Sequence, residues 1–298
     1  MTIDNAAVDE INSSTPIHCD TKAFPILASL SSGELIYLRT LTMGFHVRRG
    51  EHVIKEGEQN HYLYLLKEGL LKVEKIYHDR LYSLAYITPG QMFGESSFLY
   101  GTLVGATITT VENSIIYQIH SHEMHAILDR NQQFKRSVQQ ISEYRLASSA
   151  LAINHVFHGL PAAAREIIVY NARFVKLNKG EFLYRDGDAI NQFMCVLISG
   201  AAEVYTNHPE HPTQYISLGT VGAGDEVGEI PLITGEPHTA NVRATESLQL
   251  IMISTESLLA FCDRYSAFAD TLNESIDNKL QKREELIAQQ RTLHEINL

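Results

Sequence analysis

The pattern of apolar and polar positions predicts two strand-rich stretches that alternate with helices. In residues 45–119, short apolar runs are separated by Gly or Pro-Gly turns, which is the spacing expected of a small barrel or roll. A second stretch of this kind covers residues 174–253. Residues 120–158 and 256–298 carry apolar positions at helical spacing without internal Gly or Pro. We therefore predict two rolls that are linked by a long helix and followed by a C-terminal helix.

The same pattern predicts the domain boundaries. Residues 1–22 are polar and acidic, and we interpret them as a mobile tail. The length of 298 residues allows two domains of ordinary size. Because Gly159 and Pro161 break the linking helix, we assign residues 23–156 to the first domain and residues 157–298 to the second.

A short helical segment is predicted before each roll. Ser31 and Ser32 precede Glu34, which indicates a helix N-terminus within residues 24–43, because a serine oxygen accepts the free N–H groups of the first turn. After the break in the linking helix, residues 162–171 form a short amphipathic segment. Each roll is thus expected to have its own helical lead-in.

The two strand-rich stretches are copies of one another. Paired glycines mark the repeat at offsets of 130, 131 and 134 residues: Gly50 with Gly180, Gly69 with Gly200, and Gly94 with Gly228. The growing offset does not weaken the repeat, since insertions in surface loops cost little free energy. An internal repeat of this length predicts the same fold twice in one chain.

Two matching segments, residues 92–107 and 226–241, carry the candidate chemistry, and we name them the first and the second cassette. Each reads as a strand end, Gly-Glu, one turn of helix, a Gly-containing turn and a return into strand. A helix N-terminus beside a glycine exposes backbone N–H groups that suit an anion such as a phosphate. The acids after the glycines, Glu95 and Glu229, can accept hydrogen bonds from ribose hydroxyls. The cassettes therefore predict a receptor for a compound that contains ribose and phosphate.

The ordered glycines and the two cassettes resemble the cyclic nucleotide-binding domain, over about residues 24–150 and again 157–265. In that family the cassette reads Phe-Gly-Glu-Leu-Ala-Leu, four variable residues, then Pro-Arg-Ala-Ala-Thr. The resemblance implies a jelly-roll type of β-roll, as in the catabolite activator protein and the regulatory subunit of cAMP-dependent protein kinase. It also implies cAMP or cGMP as ligand, with the Glu on the ribose and the Arg on the cyclic phosphate. The expected fold class is mainly β with flanking helices, with two such rolls in tandem.

The cassettes depart from the family pattern at the arginine. That position is Val104 in the first cassette and His238 in the second. Loss of a bidentate guanidinium removes charge-assisted hydrogen bonds worth about 1.5–3 kcal/mol each. Valine cannot replace it, whereas histidine replaces it in part when it is protonated or through one N–H. A cyclic dinucleotide therefore stays open as a ligand beside cAMP and cGMP.

The resemblance places the ligand-binding residues at the Gly-Glu turn of each cassette and at the return into strand of the second. The expected set is Gly94, Glu95, Ser96, Ser97, Gly228, Glu229, Ile230, His238, Thr239 and Ala240. A structural alternative exists for the hydroxyl residues. Ser96 and Ser97 can cap the one-turn helix, and Thr239 suits a turn before a strand.

Charge and the C-terminal segment argue against a DNA-binding protein. The net charge of −11 and the pI near 5.7 do not provide the clustered Lys and Arg of a nucleic-acid surface. Many bacterial relatives of such a roll continue into a helix-turn-helix. Here the 36 residues after Cys262 contain seven acids, five bases and no turn signal. We therefore predict no helix-turn-helix and no DNA partner.

Cysteine use and hydropathy indicate a cytoplasmic protein. The three cysteines, Cys19, Cys195 and Cys262, lie far apart without Cys-x-x-Cys spacing, which predicts neither a disulfide framework nor a zinc site. The N-terminal residues lack the apolar core of a signal peptide. No apolar run approaches the ~18 residues of a spanning helix. We predict no membrane partner.

Motifs of catalysis are absent from the sequence. It contains no Gly-x-Ser-x-Gly, no P-loop and no paired acid–base motif. His120, His122 and His125 have no carboxylate or cysteine at metal-ligand spacing. We therefore predict a protein that is not an enzyme and has neither a metal nor a cofactor.

These observations lead to one main hypothesis and three alternatives. The main hypothesis is a cytoplasmic regulator that binds a cyclic nucleotide or related second messenger and signals to a protein partner by moving residues 120–158 and 256–298. The same two helices are candidate homodimer interfaces. The alternatives are a ligand-free scaffold that assembles through its helices, a cyclic-dinucleotide sensor, and a kinase regulatory subunit. The identity of the partner stays open.

Overall fold

The computed structural model describes residues 8–10, 21–189, 192–208 and 214–296. The chain divides into two compact units, Met1–Arg145 and Leu146–Leu298. The division falls inside the linking helix, whereas the predicted boundary lies between residues 156 and 157, near the end of that helix. Each unit contains a β-roll made of two antiparallel sheets with flanking helices.

The first unit follows the predicted order of lead-in, roll and helices. Its elements are β1 (Val8–Glu10), a 3-10 helix (Pro25–Ser29), α1 (Ser32–Leu41), β2 (Thr42–Val47), β3 (His52–Ile54), β4 (Tyr62–Glu68), β5 (Leu71–Tyr77), β6 (Arg80–Ile87), β7 (Met92–Phe93), α2 (Glu95–Tyr100), β8 (Thr107–Thr110), β9 (Ser114–His120), α3 (Ser121–Arg130) and α4 (Gln132–Ile153), which runs on past Arg145. The strand orders are β1-β2-β9-β4-β7 and β3-β8-β5-β6.

The second unit repeats this architecture. Its elements are α5 (Ala162–Asn171), β10 (Arg173–Leu177), β11 (Phe182–Tyr184), β12 (Phe193–Ser199), β13 (Ala202–Asn207), β14 (Tyr215–Val221), β15 (Glu226–Val227), α6 (Ile230–Thr234), β16 (Asn241–Ala244), β17 (Leu248–Ser254), α7 (Thr255–Arg264) and α8 (Ser266–Ile296). The strand orders are β10-β17-β12-β15 and β11-β16-β13-β14. Apart from β1, these are the orders of the first unit, so the predicted fold and its duplication are confirmed.

Each roll closes around its own apolar core. In the first unit the core includes Val53, Leu66, Leu71 and Ile116, and in the second it includes Cys195, Leu197, Leu248 and Leu250. A further cluster in the first unit packs the lead-in segment and α3 against the roll: Phe24, Leu27, Leu38, Leu63, Met124 and Phe134. Each cassette begins at the edge of a sheet, because β7 and β15 are the last strands in their sheets.

Both predicted long helices are interrupted. The first breaks at Asn131, between α3 and α4, where the backbone is extended (φ −119°, ψ 92°). The Asn131 side chain accepts a hydrogen bond from Phe134 N at 2.9 Å and donates to Ser29 O at 2.9 Å. The second breaks at Tyr265, between α7 and α8. At Asn131 a side-chain cap starts the second helix, and at Tyr265 the contacts are made by the backbone. Neither break involves Gly or Pro, which is why the hydrophobic pattern did not show them.

The predicted helix start at Ser31 is confirmed. The Ser31 hydroxyl accepts from Glu34 N, and Ser31 N donates to the Glu34 carboxylate at 2.8 Å, which completes a capping box. Among the helices that the structure describes, none combines the length and the apolar character needed to cross a membrane.

Most of the predicted tail, residues 1–7 and 11–20, lies outside the described residues. Val8–Glu10 within it form β1, which pairs antiparallel with β2 from Val8 opposite Val47 to Glu10 opposite Phe45. Three residues are too few to show a period of two, and an edge strand of this length is held by its ladder partner. The sequence pattern therefore did not predict this strand.

Candidate functional site

The Gly-Glu turns have the same geometry in both units. Gly94 and Gly228 have φ of +81° and +86°, in the left-handed region that favours glycine. A Cβ at Gly94 would lie 3.0 Å from Cδ2 of Tyr64, and one at Gly228 would lie 2.6 Å from the Tyr184 hydroxyl. Glycine is therefore required twice over at both turns, by the backbone conformation and by the neighbouring ring.

The acid of the first cassette is buried and paired. Glu95 opens α2 and is 3% exposed, although carboxylates are rarely buried without a partner. Arg145 of α4 donates to Glu95 Oε2 at 3.0 Å and to Met92 O at 2.6 Å. These contacts tie the helix that follows the first roll to the first cassette.

The acid of the second cassette has the same arrangement. Glu229 is 2% exposed, and Lys279 of α8 donates to its Oε1 at 2.6 Å. Lys279 also donates to Glu226 O at 3.0 Å and to Glu226 Oε1 at 2.8 Å. The helix that follows the second roll is thus tied to the second cassette by one ammonium and two carboxylates.

The two cations occupy equivalent positions of the repeat. Arg145 lies 50 residues after Glu95, and Lys279 lies 50 residues after Glu229. The offset of 134 that relates Gly94 to Gly228 therefore continues into the helices. Sequence reasoning missed both cations, although a search for charges related by this offset would have found them.

The two carboxylates that share the Lys279 ammonium have pKa values shifted in opposite directions. Burial raises the pKa of Glu229 above its usual range, and Lys279 compensates only in part. Burial acts in the same direction on Glu226, but Lys279, His155 and Asn154 together hold its pKa below the usual range. Burial would lower the pKa of Lys279, but the two acids keep it raised. Glu226 is therefore the ionised partner, and Glu229 takes up a proton more readily.

Two polar atoms of the second cassette are buried without a hydrogen bond. No described residue donates to Glu229 Oε2, and His238 Nε2 has no partner within the described part of the chain. A buried polar atom without a partner costs about 1–3 kcal/mol. Both atoms belong to residues of the predicted ligand-binding set.

The imidazole of His238 packs inside the second unit. It is 5% exposed and stacks on Tyr184, with ring centroids 4.0 Å apart and an angle of 15° between the planes. Burial lowers the pKa of His238, and Asp188 opposes this only in part. The histidine is therefore neutral at pH 7. Tyr184 stacks on His238, and its hydroxyl lies beside Gly228. The sequence analysis did not predict a role for this residue.

Val104 occupies the position of the first cassette that corresponds to His238. Val104 exchanges backbone hydrogen bonds with the turn at Gly57 and Glu58, at 2.9 Å each. His238 makes the same exchange with Gly187 and Asp188, at 2.8 and 3.0 Å. The Val104 side chain is 8% exposed and packs in the core of the first roll.

The predicted serines of the first cassette already have partners in their own unit. Ser96 Oγ lies 2.9 Å from Ser142 Oγ of α4. Ser97 Oγ donates to Gly94 O at 3.3 Å and accepts from Asn60 Nδ2 at 3.2 Å. Neither contact is a helix cap, since α2 has no side-chain cap hydrogen bond, so the capping alternative is not confirmed for either serine.

The remaining predicted residues lie beside the second Gly-Glu turn and at the return into strand. Ile230 is half-buried and opens α6. Thr239 and Ala240 are half-buried and precede β16. Tyr184 connects these two parts of the cassette, because its ring contacts His238 and its hydroxyl lies beside Gly228.

Comparison with known families places both rolls in one of them. The family model described as "Cyclic nucleotide-binding domain" matches residues 45–131 and 174–265, together more than half of the chain. The matched segments contain both cassettes and most of both rolls.

Curated relatives include protein kinases. The chain is 24% identical over 223 residues to the cGMP-dependent protein kinase of Plasmodium berghei (strain Anka), covering 74% of this chain and 24% of that protein. It is 26% identical over 209 residues to the human cGMP-dependent protein kinase 2, covering 68% of this chain and 25% of that protein. The chain thus spans about a quarter of the length of these relatives.

Solved structures to which this chain is similar include two kinase regulatory proteins. The regulatory domain of Toxoplasma gondii PKA with cAMP is 22% identical, with a TM-score of 0.41, over 85% of this chain and 92% of that one. The regulatory subunit of a cAMP-independent protein kinase A from Trypanosoma cruzi bound to guanosine is 14% identical, with a TM-score of 0.41, over 91% and 90%.

Proposed function

This chain belongs to the cyclic nucleotide-binding domain family, and from that premise we propose that it is a non-enzymatic regulator that senses a cyclic nucleotide or a related nucleotide messenger. The ligand binds at the second cassette and changes the contact between that cassette and α8. The response passes to a protein partner.

The observation that carries this proposal is the state of Glu229. One oxygen of its carboxylate is bound to Lys279, and no described residue donates to the other, Oε2, which is buried. A ribose hydroxyl is a hydrogen-bond donor of the kind that this oxygen lacks. A ligand that supplied it would relieve the cost of a buried acceptor without a partner. Because Lys279 binds the other oxygen of this carboxylate, ligand binding also changes the interaction between Lys279 and Glu229.

The response of α8 follows from the same contact. A hydroxyl on Oε2 draws on the charge of the carboxylate that Lys279 binds through Oε1, and so weakens that contact. A ligand changes the contacts of Lys279 only as far as its affinity differs between the two arrangements of those contacts. Since Lys279 is the cation that joins α8 to Glu229, its contact is the one by which the ligand acts.

Recognition of the phosphate is weaker than in the family pattern. The second cassette offers the buried Nε2 of His238, which is uncharged at pH 7, and the first offers the apolar Val104. We therefore propose the second roll as the primary site and a ligand held mainly through its ribose. A cyclic dinucleotide remains the alternative ligand, since it carries more contacts per molecule.

The test is thermal unfolding of the full chain with cAMP, cGMP, cyclic di-GMP and guanosine, each at millimolar concentration. A ligand present at 100 times its Kd stabilises the folded state by about 2.7 kcal/mol. We expect one of these compounds to raise the midpoint of the native chain and not that of Glu229→Gln. Glu95→Gln is the matched control, because it alters the equivalent acid of the first unit.

If none of the four compounds raises the midpoint, the messenger hypothesis fails. The ligand-free scaffold then takes its place, and it predicts oligomers that depend on concentration. Sedimentation of the native chain over a hundredfold range of concentration measures this directly, and also tests the predicted homodimer through residues 120–158 or 256–298.

We propose a protein partner in the cytoplasm. The net charge of −11 disfavours a nucleic-acid partner. The relatives named cGMP-dependent protein kinase make a kinase catalytic domain the first partner to test. Binding of such a domain, measured with and without the nucleotide that raises the unfolding midpoint, tests this part of the proposal.

A further inference from the structure

Glu226 is a buried acid outside the predicted ligand-binding set. It is 2% exposed, and its Oε1 accepts from Ser275 Oγ at 3.0 Å and from Lys279 Nζ at 2.8 Å. Its Oε2 accepts from Asn154 Nδ2 at 2.5 Å and lies 3.6 Å from Nδ1 of His155. Both oxygens of this carboxylate are therefore satisfied, unlike those of Glu229.

The contacts of Glu226 join two helical segments of the second unit. Ser275 and Lys279 belong to α8. Asn154 follows α4, donates to Gly224 O at 2.8 Å, and accepts from the backbone N–H groups of Val156 and Phe157 at 2.9 and 3.0 Å. Glu226 thus holds α8 and the turn after α4 against the same strand end.

The first unit has no such acid at the corresponding position. That position is Met92, a buried apolar residue in the cluster beneath the helices. Among the described residues, Arg145 pairs with Glu95 and otherwise contacts the Met92 carbonyl. The cation of the first unit therefore has one carboxylate partner, whereas the cation of the second unit has two.

We propose that Glu226 is a positioning residue that serves as a second acceptor for Lys279, so that α8 stays docked when Glu229 is engaged by a ligand. Its part in ligand response rests on the proposed function, whereas its docking role does not. A half-buried ammonium that lost its last carboxylate would destabilise the docked helix. Glu226 prevents that loss, because its own hydrogen bonds do not change when Glu229 changes partner.

This role makes the two units respond differently. In the second unit Lys279 is bound to both carboxylates, so it keeps its bond to Glu226 when its contact with Glu229 weakens, and α8 remains in place. In the first unit Glu95 is the one carboxylate with which Arg145 pairs among the described residues, so its engagement leaves α4 held to the cassette by Met92 O and Ser96.

The docking role is tested in the full chain without any nucleotide, by amide hydrogen exchange of α8. Glu229→Gln removes the negative charge that Glu229 presents to Lys279, and it thereby imitates the weakened contact of a ligand-bound Glu229. We expect this variant to leave exchange around residues 275–282 within about twofold of the native rate. Glu226→Gln combined with Glu229→Gln is expected to speed it at least tenfold.

A double-mutant cycle separates this contact from a general structural effect. In the Glu229→Gln background, Glu226→Gln should speed exchange only while Lys279 is present, and should add nothing once Lys279→Met is also made. Glu95→Gln is the matched variant of the first unit, and it should speed exchange of α4 around Arg145 by itself. Glu226→Met is a second variant, because the corresponding position of the first unit is a buried methionine, Met92.

The proposal is overturned if Glu229→Gln alone releases α8 as far as the double variant does, or if the double variant leaves α8 as protected as in the native chain. Because these measurements contain no ligand, failure of the proposed function does not affect them. The ligand part is tested by adding cGMP at a concentration that raises the unfolding midpoint. Exchange in α8 should then rise in Glu226→Gln and stay unchanged in the native chain, and equal exchange in the two would overturn it.

Discussion

The ring of His238 stacks on that of Tyr184, with centroids 4.0 Å apart. This contact buries the one side chain that stands at the arginine position of the second cassette and keeps its imidazole neutral at pH 7. At the arginine position the second roll therefore offers a hydrogen-bonding group without charge, and the first, with Val104, offers neither.

His238→Arg should tighten binding of cGMP about tenfold, because a charge-assisted hydrogen bond to a phosphate adds about 1.5 kcal/mol or more. His238→Ala should weaken it. Titration calorimetry of the three forms measures both effects. Three curves that overlay would show that His238 takes no part in recognition.

Binding of cGMP to the native chain should strengthen as the pH falls below about 6.5, the ordinary pKa of histidine. The pKa of His238 is lowered by burial, so the cationic form is reached only below that pH, and an anionic ligand favours it. Stability without ligand should change in the opposite direction, because folding disfavours the charged imidazole. Titration calorimetry and unfolding curves at pH 7.5 and 5.5 test whether affinity rises and stability falls at the lower pH. His238→Arg is the control, which should bind without this dependence.

Gly228→Ala should destabilise the second unit by about 2–4 kcal/mol, since it combines a left-handed backbone with a clash against Tyr184. Gly235→Ala is the matched control. Gly235 has φ of +70°, but no atom lies within 4 Å of its added Cβ, so only the backbone term of about 1 kcal/mol applies. Urea unfolding of both variants gives the comparison, and equal losses would remove the proposed clash.

Lys279→Met should destabilise the second unit by about 1–3 kcal/mol at pH 7. Removal of one partner of a buried ion pair is costly, but Lys279 is about a third exposed, which reduces the effect. The lowered pKa of Glu226 means that its pairing stabilises the fold above a pH of about 4.5 and is lost as the pH falls through the folded pKa. The loss caused by Lys279→Met should therefore shrink at pH 4. Lys279→Arg, which reproduces the cation of the first unit, should remain close to the native stability at both pH values.

Much of the architecture could be predicted from the sequence. The glycine pairs and the alternation of short apolar runs predicted two rolls and their order, and the serine before Glu34 predicted the start of α1. These features are local, since a turn, a cap or a strand face depends on residues close in sequence. The breaks at Asn131 and Tyr265 were not predicted, because neither involves Gly or Pro and the apolar positions continue at helical spacing across both.

The sequence by itself determined that the chain is a tandem repeat of one fold and located two Gly-Glu turns with an acid after each glycine. Only the tertiary structure decided which groups those acids face. Arg145 and Lys279 lie 50 residues from their partners, and nothing local marks them as different from other exposed charges on a helix. Whether an acid keeps a free oxygen, as Glu229 does, depends on every donor that packing brings near it, and packing is a property of the whole unit.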